Sequence, residues 1–195
     1  MTTDTSERGL ESLICAAMTG SASVVETSEH EATPAHAGTG WIAGRPGDYE
    51  REYGVDLVQL WQFILVTQPE IGASLDLEQD GPTRRKFLAR LQGEISKRGV
   101  IAILRHGLKH GHHELDLFYG TPSPGNAEAA ERYAQNRFSV TRQLRYSRNE
   151  TQLALDLCLF INGLPIVTFE LKNSLTKQTI ADAVEQFKRD RDPRE

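Results

Sequence analysis

The stretch LDLCLFINGLPIVTFELK, residues 155–172, decides the fold. Leucine or isoleucine stands at every second position from 153 to 161, a period that predicts a strand with one face in the core. Asn162-Gly163 follows and is a strong hairpin signal, and a second apolar run over 165–172 predicts the returning strand. One acidic residue, Asp156, interrupts the apolar first strand.

The length of the turn determines which side chains meet across this hairpin. A two-residue turn at Asn162-Gly163 sets Asp156 opposite residue 169 and leaves Glu170 on the other face of the sheet. A three-residue turn, Ile161–Gly163, sets Asp156 opposite residue 168 and diagonal to Glu170, and its third position suits a left-handed glycine. We therefore predict the three-residue turn, because only that register brings the two carboxylates together.

Two carboxylates and a lysine on adjacent strands are suited to phosphodiester hydrolysis. Glu170 and Lys172 lie two residues apart and therefore point to the same face of a strand. Asp156 and Glu170 would bind a hard divalent cation such as Mg²⁺, or Mn²⁺, which polarises a phosphate and activates a water. Lys172 would orient that water and offset developing charge. Spacing alone leaves a second interpretation open, in which these are solvated charges on a half-exposed sheet.

Outward from the hairpin, the pattern predicts a mixed α/β layer fold with one central sheet flanked by helices. Helices are predicted at 7–18, 56–67, 83–98, 127–136 and 179–190, and strands at 100–105, 113–119, 138–146, 152–161 and 165–172. Residues 19–47 are rich in Gly, Ser, Thr, Ala and Pro and are expected to form a partly mobile loop. The whole of 1–195 is predicted to be a single domain.

Composition narrows the class of protein. The net charge of −5 argues against a free-standing DNA-coating protein but is compatible with a metal-dependent nuclease. Cys15 and Cys158 lie in apolar runs and are expected to be buried free thiols in a reducing cytoplasm. No apolar run approaches the roughly 18 residues that cross a bilayer, so no membrane association is expected. Glu7 and Arg8 before a short apolar stretch make a poor signal peptide.

Further residues have weaker signals. Thr179 and Asp182 have the spacing of a capping box, and Gln186 lies at the edge of the apolar face of the last predicted helix. A histidine-rich run with two acidic neighbours, residues 110–116, has the ligand types of a zinc site, but no second cluster has matching spacing. A solvated strand start is the better interpretation of that run.

Beyond these local patterns, much of the chain resembles the N-terminal nuclease region of the restriction (R) subunit of type I restriction–modification enzymes, within the PD-(D/E)xK superfamily. The resemblance is dense from 132 to 195 and is carried by Arg132-Tyr133, Asn136-Arg137, Val140–Ser147, Leu155–Leu157, Asn162–Pro165, Glu170–Asn173, Gln178-Thr179, Asp182-Ala183, Gln186-Phe187 and Asp190–Glu195. Upstream it is carried by Ser6-Glu7, Leu10-Glu11, Asp48-Tyr49, Thr67–Pro69 and Leu104–Gly107.

The resemblance implies roles at the positions that match. It implies that Asp156 and Glu170 are metal ligands, that Lys172 is the catalytic lysine, and that Glu11 of the first helix supports the metal. Gln186 matches the glutamine of a QxxxY element, although Asp190 stands in place of its tyrosine. Arg142 and Arg145 are candidate phosphate contacts, and regular alternation along a strand would place them on opposite faces.

The same resemblance implies partners and a setting. The substrate would be duplex DNA presented by methyltransferase and specificity subunits in the cytoplasm. ATP would be used only by motor domains of the full-length subunit, since this chain has no GxxxxGK[ST] loop. The chain would then be the nuclease portion of a longer protein. The alternative is a docking or coupling module that keeps the nuclease fold without cutting DNA.

Overall fold

The computed structural model describes residues 6–20, 39–147, 153–172 and 179–189. The helices of this part are α1 (Glu7–Thr19), α2 (Leu57–Thr67), α3 (Pro69–Leu75), α4 (Pro82–Arg98), α5 (Val100–His106), α6 (Ala127–Ala134) and α7 (Ile180–Arg189). The strands are β1 (Ile42–Ala43), β2 (Tyr49–Glu50), β3 (Val55–Asp56), β4 (Leu108–His110), β5 (His113–Leu115), β6 (Phe138–Arg145), β7 (Ala154–Ile161) and β8 (Leu164–Phe169).

The main sheet has four strands in the order β1-β6-β7-β8, and β2-β3 and β4-β5 form two small antiparallel pairs. This confirms the predicted mixed α/β class, while the PD-(D/E)xK fold remains a prediction. The helices predicted at 7–18, 56–67, 83–98, 127–136 and 179–190 are confirmed with shifts of one or two residues at their ends. No helix among these residues is long and apolar enough to cross a membrane.

The strand predicted at 100–105 is wrong, because this segment forms the helix α5. Short apolar runs fit either a strand or a buried helix, and periodicity alone does not separate them. In the structure Ile103 and Leu104 are buried while Ile101 is 51% exposed, which is the one-sided burial of a helix. Gly107 ends the helix, and its N–H donates to the Ile103 carbonyl.

The chain divides into two compact units. The first comprises Met1–Pro46, Val140–Cys158 and Thr168–Glu195, and the second Gly47–Ser139 and Leu159–Val167. The single-domain assignment therefore stays a prediction. Most of the predicted mobile loop, residues 21–38, lies outside the described residues, whereas 39–47 contain β1 and the start of a 3₁₀ turn.

The second unit holds a continuous apolar core. Fifteen buried residues form it, drawn from α2 to α5 and from the strands and loops around them: Val55, Leu60, Phe63, Ile64, Leu75, Leu77, Phe87, Leu88, Leu91, Ile103, Leu104, Leu108, Leu115, Leu117 and Leu164. The face of α4 that carries Phe87, Leu88 and Leu91 belongs to this core. The turn at Asn162-Gly163 belongs to the same unit, and Leu164 directly after it is part of this core.

The hairpin between β7 and β8 turns in two residues, and the predicted three-residue turn is wrong. Asn162 and Gly163 have φ of 50° and 81°, the positive values that a type I′ turn requires at both central positions. The turn is buried, and its backbone is paired: the Asn162 N–H donates to the Arg137 carbonyl, and the Gly163 carbonyl accepts from the Asp56 N–H. The Asn162 side-chain amide also donates to the Leu117 carbonyl at 2.9 Å. These contacts hold the tighter turn, because a third loop residue would disrupt them.

Candidate active site

The carboxylate of Asp156 lies against the backbone of the Glu170–Lys172 stretch. Its Oδ2 accepts a hydrogen bond of 2.6 Å from the N–H of Leu171, the residue between Glu170 and Lys172. Asp156, Glu170, Leu171 and Lys172 are all half-buried. The acidic residue of β7 and the residues after β8 therefore share one locality in the first unit.

This contact arises although the register differs from the predicted one. A two-residue turn pairs Ile161 with Leu164, and the same register sets Asp156 opposite Phe169. Strand β8 ends at Phe169, so Glu170 lies outside the regular ladder and its orientation no longer follows from strand parity. Convergence of the Asp156 and Glu170 side chains on one ion stays a prediction.

Helix α1 brings a second carboxylate to the site. Ser6 caps the helix by accepting the N–H of Gly9 at 3.1 Å, and Glu11 follows in the next turn. Glu11 is only 1% exposed, whereas Leu10 and Leu13 of the same helix are 41% and 55% exposed. Packing of apolar residues does not explain why this helix buries a glutamate and exposes leucines. The burial of Glu11 therefore supports a role for its carboxylate other than packing in the core.

Gln143 of β6 connects the two carboxylates. Its Nε2 donates to Glu11 Oε1 at 2.7 Å and lies 3.4 Å from Asp156 Oδ1. The backbone of Gln143 has φ of 49°, a left-handed conformation inside a strand. Sequence reasoning assigned this residue no role, because neither polarity nor period marks a left-handed residue within a strand.

Arg142 also reaches Glu11. Its Nε lies 3.5 Å from Glu11 Oε2, an ion pair without a hydrogen bond, and this oxygen has no hydrogen-bond donor among the described residues. Burial raises the pKa of Glu11 above its usual value, and the charge of Asp156 raises it further. The hydrogen bond from Gln143 and the charge of Arg142 lower that pKa, so two neighbours oppose the cost of keeping Glu11 ionised.

Of the two candidate phosphate contacts, Arg142 therefore lies beside the carboxylates. Arg145 is exposed near the end of β6. The left-handed Gln143 lies between them, so the regular alternation assumed from the sequence does not apply. A cavity of about 320 Å³ opens beside this group, lined by residues of α1, β1 and β6 that include Cys15, Arg142 and Gln143.

The start of α7 lies near Lys172. The Thr179–Asp182 capping box is confirmed: the Thr179 N–H donates to Asp182 Oδ2 at 2.6 Å, and the Asp182 N–H donates to Thr179 Oγ1 at 3.3 Å. Hydrogen bonds from Thr179 lower the pKa of Asp182, and the charge of Lys172 adds to that effect. Gln186 lies further along α7, and its side chain is outside the described residues.

The donors at this site fit a hard divalent cation such as Mg²⁺. Glu11 and Asp156 supply carboxylate oxygens, and Glu11 Oε2 is buried without a hydrogen bond among the described residues. No group of three His, Cys, Asp or Glu residues in that part of the chain is arranged to hold a metal ion. Mg²⁺ in proteins is held by only one or two carboxylates and keeps several waters, so two carboxylates are an adequate protein contribution.

Neither cysteine forms a disulfide; Cys158 is buried and Cys15 is half-buried at the cavity. The histidine-rich run forms the hairpin of β4 and β5, in which His110 pairs with His113 and packs edge-on against Phe87 at 5.6 Å. The second strand of that hairpin ends at Leu115, four residues before the predicted end at 119.

Comparison with known protein families finds a match to the later part of the chain. Residues 120–195 match the family model for the type I restriction enzyme R protein N terminus. The match includes β6, β7, β8 and α7, and therefore every candidate site residue except Glu11. No curated protein matches the chain, and no solved structure matches it.

Proposed function

We propose, from the premise that residues 120–195 belong to the N-terminal family of type I restriction enzyme R proteins, that this chain is a metal-dependent endonuclease domain. Its reaction is hydrolysis of phosphodiester bonds in duplex DNA. The family match supports the restriction setting. The arrangement of the site supports the chemistry.

One observation carries the proposal: Asp156 Oδ2 accepts the N–H of Leu171, between Glu170 and Lys172. A carboxylate fixed by a backbone amide keeps its position when the ion or the substrate is exchanged. The same contact places Asp156 beside Glu170 and Lys172, which have the spacing of an ExK motif. Glu11 adds a buried carboxylate that accepts a hydrogen bond from the Gln143 side-chain amide.

Each residue has a distinct role in this proposal. Asp156, Glu170 and Glu11 hold Mg²⁺ or Mn²⁺, which when bound supplies Lewis acidity to the phosphate and an activated water. Lys172 donates to the attacking water or to a phosphoryl oxygen, and it contributes positive charge where negative charge develops. Gln186 is assigned to the site by its place in the family pattern alone.

Two arginines are proposed to contact DNA phosphates. Arg142 forms an ion pair with Glu11. A phosphate bound by the same guanidinium would therefore lie close to the metal-binding carboxylates. Arg145 is exposed and open to solvent on its strand. Methyltransferase and specificity subunits would present the DNA in the cytoplasm, and ATP would act only at motor domains of the full-length R subunit.

A second function is favoured by one specific observation. No three potential metal ligands are grouped among the described residues, which is the arrangement expected of a coupling module that does not cut. In that case Glu11, Gln143 and Asp156 would form only a structural network. The two functions differ in whether removing a carboxylate abolishes cleavage.

Nicking of supercoiled plasmid separates them. The R protein carrying this chain, assembled with its partner subunits, is assayed with Mg²⁺ as wild type, Asp156→Asn and Glu131→Gln. Glu131 is an exposed acid on α6 and serves as the matched control for loss of one charge. We expect no nicking by Asp156→Asn and unchanged nicking by Glu131→Gln. Equal nicking by all three, or none by wild type, would favour the coupling module.

A further inference from the structure

The backbone of Gln143 is in a conformation that a glutamine rarely adopts. Its φ of 49° lies in the left-handed region, within the strand β6. This conformation is strained for a residue with a side chain and persists only where its surroundings require it.

The left-handed residue changes the direction of its own side chain. In a regular strand, consecutive residues point to opposite faces. Here Arg142 and Gln143 are consecutive, yet both contact the Glu11 carboxylate, at 3.5 Å and 2.7 Å. The irregular backbone therefore delivers two neighbouring side chains to one buried acid.

The Gln143 amide has the chemistry to join two carboxylates. Its NH₂ group carries two hydrogens, one for Glu11 Oε1 at 2.7 Å and one directed toward Asp156 Oδ1 at 3.4 Å. Each carboxylate oxygen has two lone pairs, so a single hydrogen bond leaves room for an ion. A neutral donor also adds no charge that would compete with a cation.

The two acids need such a donor. Glu11 is 1% exposed and lies near a second negative charge, and a buried charge without partners is costly. Asp156 already has the Leu171 N–H on Oδ2, which leaves Oδ1 for Gln143. Without the amide, the two like charges would be free to move apart.

We propose that Gln143 is the positioning residue of the metal site, holding Glu11 and Asp156 at a fixed separation so that both bind one divalent cation. This inference rests on the proposed nuclease function. It adds a residue that touches neither substrate nor reacting atoms and acts through the two carboxylates. The strained left-handed backbone of Gln143 is what allows its side-chain amide to lie between the Glu11 and Asp156 carboxylates.

The test compares Mn²⁺ binding by calorimetry in variants of the full 195-residue chain. Gln143→Gly removes the amide while its backbone keeps the left-handed conformation without strain. Gln143→Asn also tolerates that conformation but retracts the amide by one methylene. Asp76→Gly is the matched control, because Asp76 has φ of 48° at the end of α3, in the other unit.

We expect Gln143→Gly to weaken Mn²⁺ binding about tenfold, the effect of losing a hydrogen bond to a charged group. Gln143→Asn should weaken it as well, and Asp76→Gly should leave it unchanged. Unchanged binding by Gln143→Gly would overturn the assignment. A similar loss in Asp76→Gly would also overturn it, because the effect would then come from backbone relaxation.

A double-mutant cycle with Glu11→Met distinguishes positioning from general support of the strand. Methionine fills the space of the glutamate and cannot accept the Gln143 hydrogen bond. If Gln143 acts through Glu11, Gln143→Gly should change Mn²⁺ binding by less than about twofold in the Glu11→Met background. An equal loss in both backgrounds would mean that Gln143 acts independently of Glu11.

Failure of the two proposals is separable. A wild-type chain that takes up no Mn²⁺ overturns the proposed metal-dependent function, and the purpose given to Gln143 falls with it. A wild-type chain that binds Mn²⁺ while Gln143→Gly binds equally well overturns only the role of Gln143.

Discussion

Leu171 donates its backbone N–H to Asp156 Oδ2 at 2.6 Å, so a main-chain group rather than a side chain orients the acid of β7. The donor survives any substitution at 171 except proline. Asp156 can therefore be altered while the backbone around it is retained, which makes it the natural position to probe for metal binding.

Asp156→Asn is expected to abolish stabilisation by metal while leaving the metal-free chain about as stable as wild type. Asparagine keeps an oxygen for the Leu171 N–H and removes one of two neighbouring negative charges. A site with Kd of ~1 mM in ~10 mM Mg²⁺ stabilises the native state by about 1.4 kcal/mol. For a domain of this size, the melting temperature should rise by about 3–6 °C in wild type only.

Thermal melts with Mg²⁺ or Mn²⁺ and with EDTA, at matched ionic strength, measure this rise. Glu131→Gln should show the same rise as wild type. An equal rise in Asp156→Asn would mean that Asp156 is not a ligand.

Glu170→Ala and Lys172→Ala are expected to separate binding from chemistry. Loss of Glu170 removes a ligand and should reduce both Mn²⁺ affinity and cleavage. Loss of Lys172 should keep Mn²⁺ affinity within about threefold and reduce cleavage by about a hundredfold or more, because the lysine supplies charge and water orientation. Calorimetry and nicking by the assembled enzyme measure the two quantities, and cleavage by Lys172→Ala at the wild-type rate would contradict the assigned role.

The chain by itself is expected to bind plain duplex DNA weakly. Its net charge is −5, and most nonspecific affinity comes from counterions released by contacts between basic residues and phosphates. Fluorescence anisotropy with a labelled duplex, across a salt series, should give a shallow salt dependence and micromolar or weaker affinity. Low-nanomolar binding at physiological salt would contradict this expectation.

The sequence predicted the helices and the strands around the site because their periodicity and stop signals are local. The Asn162-Gly163 pair is the usual signal for a two-residue type I′ loop, and the turn was predicted wrongly because the requirement that Asp156 and Glu170 converge was placed above that local signal. The left-handed Gln143 and the buried Glu11 depend on contacts distant in sequence: 132 residues separate the two. Local patterns identified the reactive residue types, and tertiary contacts decided how those residues are held.

Gly163→Ala is expected to destabilise the chain far more than Gly111→Ala. Both glycines have positive φ, 81° and 62°, so both substitutions carry the left-handed penalty of about 1–2 kcal/mol. A Cβ on Gly163 would also lie 2.4 Å from the Asp56 carbonyl oxygen and 2.6 Å from Leu60 Cβ, whereas one on Gly111 meets nothing within 4 Å. The crowding should add about 1–3 kcal/mol.

Urea unfolding of the two variants gives the difference directly. Equal destabilisation would show that the turn can shift away from the start of α2, and the buried two-residue turn would then not determine the register.

Asp56→Asn is expected to make stability less dependent on pH. Asp56 caps α2 by accepting the Gln59 N–H at 3.0 Å, is 1% exposed, and has a second oxygen without a hydrogen bond among the described residues. Burial raises the pKa of Asp56 from 3.8 to about 6, against the opposing effect of the backbone hydrogen bond from Gln59. The folded chain therefore holds this proton more tightly than the unfolded chain, and stability is lost as pH rises from about 4 to about 6.

Asparagine is an equally good helix cap and does not titrate. The stability of Asp56→Asn relative to wild type should therefore rise between pH 4 and pH 7, by up to about 3 kcal/mol for a shift of about 2 pKa units. Urea unfolding of both proteins at pH 4, 5, 6 and 7 measures the change. Parallel pH curves for the two proteins would mean that Asp56 is ionised at little cost, and that Arg137 or solvent compensates its buried charge.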